Sequence, residues 1–110
     1  MELQIEQAQL LTIEAMRRNA RVDEDADEDA NLMECAAAAE KAVLDYCHTS
    51  WEEVLDTYGQ VPAVMYKAML AVAVGMYDSP AGSDGRQTYV APFGVLASLE
   101  HYKRLTDREV

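Results

Sequence analysis

Sixteen residues, Pro62-Ala-Val-Met-Tyr-Lys-Ala-Met-Leu-Ala-Val-Ala-Val-Gly-Met-Tyr77, constrain this chain more than any others. Laid on a 3.6-residue period, their apolar side chains fall on every side, so a helix here has almost no solvent face. A helix of that kind belongs at the centre of a small protein, with other helices laid against it. Pro62 suits the first turn, where its missing N–H would be unpaired anyway. The helix would be roughly 24 Å long at about 1.5 Å per residue. That is short of the ~20 apolar residues needed to span a bilayer, and Lys67 interrupts the run. The expectation is a core helix, not a membrane span.

The rest of the composition supports a small helical fold. A chain of 110 residues has the size of one domain, 1–110, with a real but modest core. Half of its residues are apolar and alanine contributes heavily, so the core should be closely packed helices rather than bulky aromatics. The net charge of −11 argues against a nucleic-acid-binding surface, which carries a basic footprint. Residues 1–60 hold fifteen Asp and Glu against four Lys and Arg, whereas the last fifty hold five of each. The chain thus has an acidic half and a neutral, apolar half.

Cys35 and Cys47 are the only thiols. Twelve residues apart on one helix, they stand roughly 18 Å from each other, far beyond the ~7 Å limit for a disulfide. They are expected as two small buried hydrophobes in a reducing compartment. The start, Met-Glu-Leu-Gln-Ile-Glu, has neither a basic region nor a long apolar run, so no signal peptide is expected.

Residues 3–20 read as helical, with Ile5, Ala8, Thr12, Ala15 and Met16 as an apolar lane and Arg17, Arg18 and Arg21 at its C-terminal end. Thr12 as an N-cap, with the first ten residues a separate arm, is the competing reading. The acidic run Asp23, Glu24, Asp25, Asp27, Glu28 and Asp29 follows as a solvated loop. Its last members favour a helix start, and the next helix is expected from about Glu28 to Cys47. Leu32, Ala36, Ala39, Val43 and Cys47 share its inner face, joined by Met33, Leu44 and Tyr46. Ser50-Trp-Glu-Glu53 has the capping-box form, opening a short helix from Trp51 to Tyr58 that ends at Gly59. Trp51, Val54, Leu55 and Tyr58 are its expected core contacts. Residues 79–91 form the longest stretch without helical pattern, and loops of that length are often functional. Gln87 to Val90 would extend into a short strand if a partner edge existed. Pro92-Phe-Gly94 opens a last helix to about Leu105, with Val95, Leu96, Leu99 and Tyr102 inward. The expected class is therefore all-α: four main helices plus one short one around a central apolar helix, with a long loop before the last.

Chemical motifs are sparse. Counting Asp23 as position 1 of a calcium loop puts Asp25, Asp27, Asn31 and Glu34 at ligand positions. Glu28, however, stands where the sharp turn requires Gly, and the loop would occupy residues already expected in a helix. His48 and His101 fit no nucleophile or zinc spacing. Cys47 and His48 point about 100° apart on a helix, which is unfavourable for a shared metal. Asp78 beside Pro80 reads as a boundary residue rather than a general base. No Gly-rich phosphate loop is present, and neither an enzyme nor a cofactor is expected.

The order of features carries a resemblance. The acidic stretch Arg21–Asp29 precedes an Ala-rich helix with Glu40 and Tyr46. Then come Val61-Pro62, the apolar helix ending Gly-Met-Tyr77, a polar loop, and Pro92-Phe-Gly94-Val followed by Leu96, Leu99 and Tyr102-Lys-Arg104. Over about residues 11 to 105 this resembles the small head–tail connector (head-completion adaptor) proteins of long-tailed bacteriophages. The sequence departs from that pattern at Tyr77-Asp78-Ser79-Pro80, where the family commonly shows Tyr-Glu-Asn-Arg, and the first ten residues are additional.

The resemblance implies a virion protein, assembled in the bacterial host cytoplasm, that forms a ring of about twelve copies. Such a ring would join the portal protein of a DNA-filled head to the next connector or tail-completion protein, with no cofactor and no membrane contact. Candidate interface residues are Ser79, Gly82, Asp84, Gly85, Arg86, Gln87 and Tyr89 in the loop, with Lys103 and Arg104 on the last helix. The acidic run from Asp23 to Asp29 is a candidate channel wall, repelling the phosphates of passing double-stranded DNA, or else a solvent face kept for solubility. The residues alone also fit a soluble acidic helical module that binds or regulates a partner, or a calcium-responsive helix pair.

Overall fold

Three polar side chains decide where the first three helices begin. Thr12 Oγ1 accepts the N–H of Ala15 at 3.2 Å, and Ser50 Oγ accepts that of Glu53 at 3.2 Å. Asp25 Oδ1 accepts from both Asp27 and Glu28, at 2.9 and 3.2 Å. Each side chain satisfies N–H groups that a helix start leaves unpaired. They open α1 (Ile13–Ala20), α2 (Ala26–Tyr46) and α3 (Trp51–Tyr58). α4 (Ala63–Asp78) starts directly after Pro62. The last element, α5 (Phe93–Ser98), passes through Leu99 into a 3₁₀ turn, Glu100–Tyr102. The computed structural model describes residues 3–79 and 93–103. Among these it is all-α, without strands, as the periodicity predicts. Replacing Ser50 with alanine is expected to cost about 1 kcal/mol, read as a lower urea midpoint at unchanged slope.

Helix ends are set by backbone geometry. Arg21 and His48 lie in the left-handed region, at φ 60° and 56°. With His48 turned this way, its N–H reaches the Asp45 carbonyl and the Thr49 N–H reaches that of Leu44, at 3.1 and 3.0 Å. This pair of bonds closes α2 as a Schellman motif. Gly59, at φ 76°, closes α3.

α4 packs along α2, α1 lies against both, and α5 rests on α4. Buried alanines on both long helices, Ala36 and Ala39 on α2 with Ala68 and Ala73 on α4, let the backbones approach closely. Met16, Leu32, Met65, Met69, Val54 and Leu99 fill the remaining core. The sixteen-residue stretch is thus the central helix expected, with Pro62 one position before it rather than within its first turn.

One open choice is decided, and three further expectations are corrected. Of the two readings of the N-terminal stretch, the Thr12 cap holds: the first helix begins at Ile13, and residues 3–8 form a non-helical arm. α2 starts at Ala26 rather than Glu28, because Asp25 is its cap. Leu55 and Tyr58 do not join the core: they are 52% and 43% exposed, and Val54 alone of that helix is fully buried. The last helix stops at Ser98, whose hydroxyl donates to the Val95 carbonyl at 2.7 Å, while the Leu99 N–H turns to Leu96 at 3.1 Å. That tightening converts the α-helix into the 3₁₀ turn. The expected stretch from Arg104 to Leu105, and the strand considered at Gln87–Val90, lie outside the described residues. Cys47 is buried as expected, whereas Cys35 is only half-buried.

Candidate functional site

The acidic run begins as the exposed loop expected, Asp23 to Asp25, and its last members open a helix. Asp25 caps α2, and Asp27, Glu28 and Asp29 occupy its first turn, where carboxylates face the free N–H groups. Asp23, Glu24, Asp25, Asp27 and Glu28 are exposed, so five carboxylates crowd one end of the molecule. Asp29 turns inward to a two-point contact with Arg17 on α1, Nε to Oδ1 at 3.0 Å and Nη2 to Oδ2. That guanidinium holds the Asp29 carboxyl below its usual range. The stabilisation is present above the ordinary carboxylate value and disappears as pH falls through the lowered one. The calcium reading fails on geometry. Asp27, Asn31 and Glu34 already lie on a helix and cannot wrap a cation, and no metal-holding group of three exists among the described residues.

A second long-range bond ties the edge to the central helix. The Tyr77 hydroxyl donates to a Glu28 carboxylate oxygen, linking the end of α4 to the start of α2. The hydrogen bond to this carboxylate, then desolvation, pushes the Tyr77 phenol up to about 12. The neutral phenol makes the bond, so its contribution is complete below the ordinary value near 10 and is lost as pH rises through the raised one. The Tyr46 phenol is raised too, first by its hydrogen bond to Glu100, so difference absorbance of tyrosinate should show two late-titrating groups, and Tyr77→Phe should remove one of them.

The opposite end of α2 meets the C-terminal turn. The Tyr46 hydroxyl donates to Glu100, and the Lys103 ammonium sits 4.6 Å from the centre of the Tyr46 ring. Tyr58 packs edge-on against Tyr102 at 5.7 Å. Lys103, one of the residues singled out for assembly, is exposed but leans on its own chain. Ser79 closes α4, its N–H bonded to the Gly75 carbonyl at 3.0 Å. Gly82, Asp84, Gly85, Arg86, Gln87, Tyr89 and Arg104 lie outside the described residues.

Glu40 escaped functional reading in the sequence. Its side chain is 3% exposed and accepts three backbone N–H groups in a row. Oε1 takes Gln9 at 2.8 Å, and Oε2 takes Leu10 at 2.9 Å and Leu11 at 2.7 Å. The arm that precedes α1 is thereby fastened to the middle of α2. A signal was present: Glu40 falls on the same helical face as Ala36, Val43 and Cys47, where an unpaired carboxylate is too costly to bury.

These elements, in this order, match one known family. The sequence profile of the phage gp6-like head–tail connector proteins covers residues 11–103. The chain belongs to this family. No curated protein and no solved structure matches it. The matched region begins at Leu11, where Glu40 takes hold of the chain, and it includes all five helices. As a connector, the protein has a structural role in the virion and associates with other head or tail components; the family is structural, not enzymatic. Among the described residues, no helix is long and apolar enough to cross a membrane. Burial pushes both connector thiols, Cys35 and Cys47, above the usual range, so they stay protonated at neutral pH.

Proposed function

We propose that this connector acts as a single domain, 1–110, that assembles into a ring of about twelve copies beneath the portal. The ring joins the head to the next connector or tail-completion protein and lets double-stranded DNA pass without specific binding. Membership of the connector family over residues 11–103 carries this reading. The exposed acidic edge supports the passage role. Non-specific affinity for DNA comes from cations that displace counterions, and on a wall bearing Asp23, Glu24, Asp25, Asp27 and Glu28 the carboxylates outnumber the neighbouring exposed Arg21. The proposed subunit interface is the loop from Ser79 to Tyr89, with Arg86 as its cation, and the last helical segment with Lys103 and Arg104. A ring requires two different patches on each subunit, and these residues supply one of them.

Light scattering behind a sizing column, with negative-stain images of the peak, tests the ring directly. Particles with a central hole, retained by immobilised portal protein, are the expected result. A chain that stays monomeric both alone and with the portal would overturn it. Deleting Gly82 to Gly85 is expected to impair assembly while leaving the helical melt in place.

A further inference from the structure

We propose that the N-terminal arm of one subunit docks in the groove between α4 and α5 of a second copy. Leu3 and Ile5 would enter its apolar floor, and Glu6 would meet Lys67. The inference rests on the ring reading and supplies that ring with a contact.

The groove is what the central helix leaves uncovered. α4 is apolar all round, yet Val64, Lys67 and Ala71 stay exposed along one side after α1, α2 and α5 have packed. With Ala68, Val95 and Ser98 they bound a groove of about 360 Å³. Lys67 is the only charged residue of that lining, and it has no ion pair among the described residues.

The arm has the complementary character. Leu3 and Ile5 are 89% and 68% exposed, the two most exposed large apolar side chains described. They alternate along a non-helical segment and are followed by Glu6, also exposed. The arm projects from a fixed point, because Glu40 holds Gln9, Leu10 and Leu11. Anchoring lowers the ordering cost of docking. Leu3 to Glu6 spans about 10 Å when extended, and Val64 to Ala71 spans about 10 Å along α4.

The subunit's own groove is out of reach. Ile5 and Glu6 border the outer face of α2 beside Ala38 and Lys41, whereas the groove is lined by α4 and α5 alone, with no residue of α2. Six residue steps separate Leu3 from the Gln9 anchor, a reach of about 20 Å. The path must round two packed helices, each about 10 Å thick. An arm on one face and a groove on another make a heterologous contact, which propagates around a ring instead of ending at a dimer.

The test uses the full chain. Leu3→Cys combined with Val64→Cys, oxidised after assembly, should give a ladder of covalent multimers on a denaturing gel. Either substitution alone should give none, which controls for Cys35 and Cys47. Lys67→Glu should raise the half-assembly concentration about tenfold, and adding Glu6→Lys should restore it. Rings that form with neither ladder nor charge-swap rescue would overturn the arm contact and leave the ring intact. A disulfide confined to monomers would show the arm in its own groove and overturn it equally. If the unsubstituted chain forms no ring, alone or on the portal, the ring reading fails and the contact falls with it.

Discussion

Replacing Glu40 with alanine is expected to destabilise the connector by about 3 kcal/mol and to release the arm. Each N–H bond to a buried carboxylate is charge-assisted and worth roughly 1.5–3 kcal/mol. Three such bonds converge on this side chain, from Gln9, Leu10 and Leu11. The loss is smaller than their sum, because the freed N–H groups regain water once the arm lifts away. Leu11 is itself a core residue, 3% exposed, so lifting the arm also uncovers apolar surface. Glu40→Gln separates charge from geometry. Its carbonyl oxygen can still serve Leu10 and Leu11, but its amide nitrogen then faces the Gln9 N–H, donor against donor. About half the alanine penalty is expected for it. Urea melts give the stability, and amide exchange at residues 9–11 reports the arm separately. Unchanged protection there in the alanine variant would show that the carboxylate does not hold the arm.

Met69→Ala, at the centre of α4, is expected to cost about 2–5 kcal/mol. Met69 is fully buried, on the helix that packs against both α1 and α2, so the lost volume lies inside the core. The close seam between α2 and α4 limits how far the structure collapses to fill it. The same seam makes enlargement costly. Ala39→Leu, at a fully buried alanine, should cost about 1–3 kcal/mol by forcing the helices apart. Thermal melts of both variants check the pair. If Ala39→Leu left the melt unchanged, the alanines would not mark a close contact.

Much of this architecture was legible in residue order, where local chemistry decides. The all-round apolar character of residues 62–77 predicts a central helix, and α4 is that helix. Ser50 and Gly59 bracket α3 as their cap chemistry requires. On α2, the spacing of Leu32, Ala36, Ala39, Val43 and Cys47 predicts its buried face. The family itself was readable from the order and spacing of these features. Each depends on groups within a few residues of one another, so the sequence determines them.

Other features depended on which distant groups meet. Thr12 and Asp25 are both good caps in isolation, but Leu3 to Leu11 stay out of a helix because Glu40, some thirty residues on, takes three of their N–H groups. Leu55 and Tyr58 have a helical spacing that suits burial, yet of that helix only Val54 is buried and both of them stay largely exposed. Tyr77 joins Glu28, and Tyr46 joins Glu100, across about fifty residues each. Hydrophobic periodicity is one-dimensional and fixes which face of a helix is apolar. Whether a neighbour covers that face, and which buried carboxylate finds which backbone N–H, is set by packing in three dimensions.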